Sequence, residues 1–369
     1  MKILHYVNES MLAWARPYIQ LILALQSKGT SNKVLCAPGG TLPGFLSESG
    51  IEYDTEKPLL PWLPSACLGI GRRISREKPD IIVTRLSSAS AIGGYWGRRL
   101  GIPVIGVLDK FSKKKYYKHV DAVQAVSTPL QEYAIRENFP SPFFIPNGIE
   151  TKRYARKDSL RTSTRRHYGI EDSDRVIVVA GRFVRWKGFD VVLEAFPMLL
   201  RKMEGSSKST RLRLILAGDG EERHTLEEMA GDMKRNGSVI FTGFVQDIRP
   251  VLWASDIFVL PSREAEPFGL ILLEAMASGL PVIATDFGGP RDMIEHNESG
   301  WLVPPGDPEA LAHMLHQALC DSNLKETGKK ALEASRRFVI DRIATESLEI
   351  YEELLRKNDG NVLNSAAPK

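Results

Sequence analysis

Short, nearly continuous apolar runs alternate with amphipathic stretches from one end of the chain to the other. In the first half the runs are KILHYV (2–7), KVLCA (33–37), DIIVT (80–84), PVIGV (103–107), DAVQAV (121–126) and FFIP (143–146). Helical spacing falls between them at 11–28, 62–77, 88–100 and 127–138. Runs without polar alternation predict strands buried on both faces, and helices must then cover both sides of a parallel sheet. The predicted fold class is α/β, doubly wound.

The second half repeats the pattern. RVIVVAG (175–181), LRLILAG (212–218), SVIFTG (238–243), DIFVLP (256–261), PVIAT (281–285) and GWLVP (300–304) predict strands. Helices are expected near 188–203, 221–236, 246–254, 269–278 and 308–319, with two more at 323–337 and 341–357. Residues 151–174 carry many charges and no strand pattern, so the linker is placed there. The expected organisation is a Rossmann-like domain over 1–168, a second over 169–340, a closing helix at 341–357 and a frayed tail at 358–369. Two such domains in tandem predict a deep cleft at the C-terminal strand ends, where open α/β sheets bind ligands.

Composition narrows the class. The chain has 369 residues, 43% hydrophobic and 25% charged, the balance of a soluble globular protein of two domains. No apolar run approaches the roughly 20 residues that span a bilayer, and MKILHYVNES makes a better first strand than a signal peptide. Cys36, Cys67 and Cys320 offer neither a disulfide framework nor zinc-ligand spacing, so a cytoplasmic setting is expected. The net charge of +4 is divided: residues 1–168 hold 25 Lys/Arg against 13 Asp/Glu, and the rest hold 24 against 32. A basic first half suits an anionic acceptor, an anionic membrane surface or a nucleic acid. No recognised nucleic-acid module accompanies it, so nucleic acid is not expected as a partner.

Two segments carry candidate chemistry. In VAGRFVRWKGFDVVLEAF (179–196) a strand ends at Gly181 and a helix begins near Gly188, with Arg182 and Lys187 on the turn between them. Cations beside a helix N-terminus suit a phosphate. In PSREAEPFGLILLEAMASGLPVIATDFGGPRDMI (261–294) Glu266 precedes a helix and Glu274 lies inside it. The amides of Phe268, Gly269 and Leu270 are among the orphan donors of that helix start. A carboxylate in the apolar run GLILLEAMA is costly unless paired, which favours a functional over a purely structural Glu274, and its place inside the helix suits a ribose.

Weaker signals surround these. LAGDGEER (216–223) and FTGFVQD (241–247) each end a strand on glycine, at Gly218 and Gly243, where ligand or backbone approaches closely. LDKFSKKKYYKH (108–119) and GRRISREK (71–78) concentrate positive charge, which suits a headgroup layer or an anionic acceptor and equally a solvated face. Asp172 and Asp174 form an Asp-x-Asp in the polar linker, a poor metal site, and no metal is expected. Gly69 and Gly71 lack the third glycine of a dinucleotide fingerprint, and no Walker A loop, nucleophile elbow or HExxH motif occurs.

Taken in order, Pro146-Asn147-Gly148-Ile149, Gly181-Arg182, Lys187-Gly188, Gly218-Asp219-Gly220, Phe241-Thr242-Gly243, Ser255-Asp256, Glu266 with Glu274, and Gly288-Gly289 resemble a known pattern. It is that of the retaining GT-B glycosyltransferases of the large family four, the glycosyl transferases group 1, which includes many lipopolysaccharide and capsule sugar transferases. The resemblance implies a GT-B fold whose last helix crosses back to the first domain. It implies a nucleotide-diphosphate sugar as co-substrate, a glycan or glycolipid acceptor, no other cofactor, and a protein at the inner face of the cytoplasmic membrane. Arg182 and Lys187 would bind the donor diphosphate and Glu266 the donor sugar, beside Phe268, Gly269 and Leu270. Glu274 would hold the ribose, Phe244 and Val245 would flank the base, and Gly218 would line the donor site. The first domain departs from the pattern. Asn8-Glu9-Ser10-Met11 replaces a Gly-Gly turn, and Leu108-Asp109 stands where relatives place a His, leaving Asp109 as its candidate substitute. Arg85, with Ser87 and Ser88, resembles an Arg-Ser loop of lipopolysaccharide-type relatives, so Asn8, Arg85 and Asp109 are the acceptor-side candidates. A sugar-nucleotide epimerase of the same fold and a non-catalytic homologue supporting a partner subunit remain open alternatives.

Overall fold

The computed structural model describes residues 1–9, 15–204 and 211–365; Ser10 and Met11 of the first turn, and residues 366–369 of the tail, lie outside them. The first elements are β1 (Lys2–Val7), α1 (Ala15–Ser27), β2 (Ser31–Cys36), α2 (Leu42–Glu48), β3 (Glu52–Thr55), α3 (Leu68–Glu77), β4 (Ile81–Arg85), α4 (Ser87–Leu100), β5 (Val104–Leu108), β6 (Ala122–Ala125), α5 (Thr128–Arg136) and β7 (Pro142–Phe144). Then follow α6 (Asp158–His167), β8 (Arg175–Ala180), α7 (Phe189–Met203), β9 (Leu212–Ala217), α8 (Arg223–Arg235), β10 (Val239–Gly243), α9 (Arg249–Ala254) and β11 (Ile257–Leu260). The chain closes with α10 (Leu270–Ala277), β12 (Val282–Thr285), α11 (Pro290–Met293), β13 (Trp301–Val303), α12 (Pro308–Cys320), α13 (Leu324–Ser335) and α14 (Ile340–Ser365).

The chain forms two compact units, 1–150 with 338–369, and 151–337. In the first, a parallel sheet has the order β3-β2-β1-β4-β5-β6-β7. Its central strands are buried along nearly their whole length, in keeping with their largely apolar runs, and the polar His5, Thr84 and Arg85 are buried with them. The edge strand β3, EYDT, has no apolar pattern because it pairs with β2 alone and is never fully buried. Helical spacing over 62–77 corresponds to a helix only from Leu68. Pro58, Pro61 and Pro64 remove donors and restrict the backbone upstream, leaving a loop and one 3-10 turn at Pro64–Ala66.

The second unit has a parallel sheet of order β10-β9-β8-β11-β12-β13. Its core places Ile177, Val179, Leu214 and Leu216 of the sheet against Phe196 and Leu199 of α7 and Leu315 of α12.

The division falls at 150/151 rather than at 168/169, because the charged segment is not a linker. It holds α6, whose arginines bind the end of α9: Arg161 Nη1 donates to Trp253 O at 2.7 Å, and buried Arg165 donates to Ala254 O at 2.8 Å and Asp174 O at 2.7 Å. Asp174 is buried and paired with Arg213 at 3.1 Å, so the Asp-x-Asp is a structural site. At the other end Ile149 N donates to Phe338 O and Ile340 N to Ile149 O, both at 3.0 Å, which joins α14 to the first unit. There α14 packs with α1, and it continues to Ser365 instead of ending at 357. The charge division changes accordingly. The first unit carries 22 Lys/Arg against 18 Asp/Glu and the second 27 against 27, so the excess of positive charge is local rather than domain-wide.

Candidate functional site

In the second unit the candidate residues sit on loops at the C-terminal edge of a parallel sheet. The loop after β8 carries Arg182 and Lys187; the loop after β11 carries Glu266 and leads into α10. Close backbone approach holds these loops together. A Cβ on Gly188, where φ is +69°, would lie 1.9 Å from Pro261 O, and one on Gly218 would lie 1.8 Å from Gly181 O. Only glycine permits such contacts. Arg263 N donates to Trp186 O at 2.8 Å, and the Arg263 guanidinium pairs with Asp190 at 2.6 Å. The loop after β12 joins through Gly289 N, which donates to Glu266 O at 2.7 Å.

Within this frame Lys187 Nζ donates to Glu266 Oε2 at 2.7 Å, and Ser262 Oγ donates to the same oxygen at 2.9 Å. Both side chains of the ion pair are largely buried, and Lys187 also lies over the Trp186 ring, 4.2 Å from its centroid. Arg182 is exposed and its guanidinium has no hydrogen-bond or ion-pair partner among the described residues, so its charge is uncompensated. Phe268 is buried, Gly269 takes φ +102° at the start of α10, and Leu270 opens the helix. In the first turn of α10 the Leu272 amide donates to Gly269 O at 2.9 Å, and the Leu270 and Ile271 amides have no backbone acceptor among the described residues.

Glu274 is partly buried on α10, where its Oε1 accepts from Tyr154 Oη at 2.9 Å. Tyr154 is fixed by Trp253 Nε1, which donates to Tyr154 O at 2.9 Å. Burial, and then the Glu274 carboxylate, push the Tyr154 phenol far above its ordinary range, so it stays a protonated donor. Phe244, 80% exposed, and Val245 follow β10, and Gly218 N donates to Gly243 O at 3.0 Å, tying that loop to the end of β9.

In the first unit two acceptor-side candidates meet. Buried Arg85 at the end of β4 donates from Nη1 to Asp109 Oδ1 at 2.7 Å, just past β5, and to Asn147 Oδ1 at 3.4 Å. Its guanidinium lies 5.6 Å from the Tyr18 ring centroid. Asp109 Oδ2 is buried with no partner among the described residues. Burial pushes this carboxyl upward, against the pull of the Arg85 charge. Asn8 is apart from the pair: its side-chain amide donates to Ser88 Oγ at 3.1 Å.

Residues 161–336 match the family model described as glycosyl transferases group 1. The chain is 28% identical over 334 residues to the lipopolysaccharide core biosynthesis glycosyltransferase LpsE of Rhizobium meliloti, covering 88% of this chain and 91% of that protein. It is 31% identical to the N-acetyl-alpha-D-glucosaminyl L-malate synthase of Bacillus anthracis, over 57% of this chain and 53% of that one. Among solved structures, HepE of Anabaena in complex with UDP superposes with a TM-score of 0.83 at 22% identity, over 96% of this chain and all of that one. Sucrose-phosphate synthase from Thermosynechococcus elongatus does so at 0.76 and 20%, over 97% and 100%. The fold is GT-B. Over residues 161–336 the chain is similar to the glycosyl transferases group 1.

Several contacts around these residues are not legible in the sequence. Tyr154 lies 120 positions from Glu274, in the segment read as a linker, and nothing local marks it. Asn147 belongs to the Pro-Asn-Gly marker, but its partner Arg85 is 62 positions away. Asp256, also a marker, acts structurally: its Oδ2 accepts from Val176 N at 2.9 Å and its Oδ1 from Arg161 at 3.0 Å. Among the described residues no cluster of three or more His, Cys, Asp and Glu could hold a metal ion, and no helix is long and apolar enough to cross a membrane.

Proposed function

We propose that this protein is a retaining glycosyltransferase that moves a sugar from a nucleotide diphosphate to a hydroxyl of a glycan or glycolipid, in lipopolysaccharide or polysaccharide assembly. The observation that carries this reading is the pairing of Lys187 with Glu266 on loops that also present the uncompensated charge of Arg182 and the first amides of α10. In the reaction, the bond between the anomeric carbon and the diphosphate oxygen breaks and its electron pair goes to that oxygen. An oxocarbenium-like sugar develops, the acceptor oxygen attacks from the face the diphosphate leaves, and its proton passes to the departing phosphate. The protein's task is to stabilise charge that exists only in the transition state. Arg182 and Lys187 supply the positive field, and the reading needs no metal for that role. Glu266 faces the donor sugar, Glu274 the ribose, and Phe244 with Val245 the base, next to Gly218, Phe268, Gly269 and Leu270. Arg85 and Asp109, with Asn8 on the neighbouring turn, form the acceptor side. The glycan or glycolipid class is supported by the relative named as a lipopolysaccharide core glycosyltransferase, and the nucleotide by the UDP in the HepE complex. A cytoplasmic protein peripheral to the membrane's inner face fits a lipid-linked acceptor.

The test is nucleotide release from UDP-, GDP-, ADP- and dTDP-sugars, without and with crude membrane glycolipid. Release from one donor, stimulated by lipid and lost in both Arg182→Ala and Lys187→Ala, is expected, with the anomeric configuration kept in the product. Conversion of the donor sugar without acceptor would identify an epimerase instead, and silence across donors that bind would identify a non-catalytic homologue.

A further inference from the structure

Among the described residues of the first unit, the loop between β3 and α3 groups several exposed large apolar side chains. Trp62 is 79% exposed, Leu59 76%, Leu68 55% and Leu63 47%. Soluble proteins rarely present contiguous apolar surface of this kind without a partner for it. The exposure is held in place: Pro58 and Cys67 are buried, Trp96 Nε1 of α4 donates to Pro64 O at 3.1 Å, and Cys67 Sγ reaches Leu60 O at 3.4 Å.

Charge decides what covers it. The nearby acids, Asp54 and Glu56, are engaged by Arg73 and Arg76. Lys57 and Arg72, on either side of the loop, are exposed with no acidic partner among the described residues. A second segment adds to them. After β5, Lys113, Lys114 and Lys118 are exposed beside Phe111, which is 40% exposed, and these lysines too have no acidic partner among the described residues. Helix α4 carries both segments. Trp96 holds the first, while the Tyr95 ring meets His119 edge-on at 6.2 Å, and a Cβ on Gly94 would lie 2.9 Å from the His119 carbonyl carbon. Apolar and Trp side chains flanked by uncompensated lysines match the chemistry of a headgroup layer over acyl chains.

We infer that the loop 57–68 and the lysines after β5 dock the first unit onto an anionic lipid bilayer, with Leu59 and Trp62 seated at the boundary of headgroups and acyl chains. The loops after β3 and β5 leave the same C-terminal edge of the parallel sheet as Arg85 and Asp109. On the glycosyltransferase reading, this brings a lipid-linked acceptor to that edge, and only that link rests on the reading.

The experiment is co-sedimentation of the full chain with vesicles of phosphatidylcholine alone and of phosphatidylcholine with phosphatidylglycerol, read beside nucleotide binding. Wild type is expected to bind the phosphatidylglycerol vesicles. Leu59→Ser with Trp62→Ser should weaken partitioning at least about tenfold at any salt. Lys113→Glu with Lys114→Glu should weaken it most at low salt, where charge attraction is least screened. The substituted side chains are exposed, and unchanged circular dichroism confirms folding. No binding by wild type, equal binding by the Leu59/Trp62 variant, or dimerisation through the loop in place of vesicle binding would overturn the inference. Vesicle binding by a chain that binds no nucleotide sugar would leave it standing and remove the transferase reading.

Discussion

Lys187 Nζ and Ser262 Oγ donate to one oxygen of Glu266, at 2.7 and 2.9 Å, so two loops that leave neighbouring strands meet on a single carboxylate. The pair orders Lys187 before any ligand arrives, and pre-ordered charge stabilises a transition state without reorganising during the reaction.

Lys187→Ala and Arg182→Ala should each lower donor turnover by about 100- to 1,000-fold. Thermal unfolding separates them. Arg182 is exposed and unpaired among the described residues, so its loss should leave Tm unchanged. Removing Lys187 leaves the buried Glu266 carboxylate short of a donor and should cost about 1–3 kcal/mol of stability. Wild-type turnover in both variants would remove these residues from the reaction.

Tyr154→Phe takes the phenolic donor from Glu274 Oε1 while keeping the ring. If Glu274 holds the ribose, nucleotide affinity measured by calorimetry should fall by about 0.5–1.5 kcal/mol in Tyr154→Phe and by more in Glu274→Ala. Equal affinity in Glu274→Ala would exclude that role.

Gly188→Ala places a methyl where 1.9 Å separates the Cβ position from Pro261 O, at φ +69°. The left-handed backbone alone costs about 1–2 kcal/mol for a non-glycine residue, and the contact adds to it. A Tm at least several degrees lower is expected. Gly169→Ala, with φ +62° and open space at its Cβ, should show the backbone cost only.

His5 in β1 is buried, with Nε2 2.9 Å from Asn32 Oδ1. Burial lowers its pKa from 6.5 to about 4, with the Arg85 charge adding to the effect and the Asn32 hydrogen bond opposing it. The unfolded chain therefore binds a proton that the native chain excludes. The stabilisation is fully present above about pH 6.5 and is lost as the pH falls toward about 4. Between pH 7 and pH 5 this residue should account for about 2 kcal/mol. Urea unfolding at the two pH values should show that much less acid sensitivity in His5→Gln than in wild type.

Much of the fold is legible in one dimension. A strand such as β11 is buried on both faces and wholly apolar, so the run itself reports the burial; β4 is apolar until Thr84 and Arg85 at its C-terminal end. The donor-side loops are legible as well, because glycine at 188 and 218 marks backbone contacts that no other residue permits. The edge strand β3 escapes the pattern for the converse reason: a strand paired on one side and only partly buried has no need of an apolar run.

What the tertiary structure alone decided are the pairings made across the chain. Composition placed Arg161 and Arg165 in a charged linker; packing made them the anchors of α6 on the second unit, moving the boundary and dissolving the apparent division of charge. Sequence marked Glu274 and Arg85, but Tyr154 and Asn147, 120 and 62 positions away, reach them only once the chain between has folded. Local sequence encodes which face of an element is buried, because periodicity is a property of neighbours along the chain. Which polar group meets which depends on loop closure and sheet order, and those are properties of the whole unit.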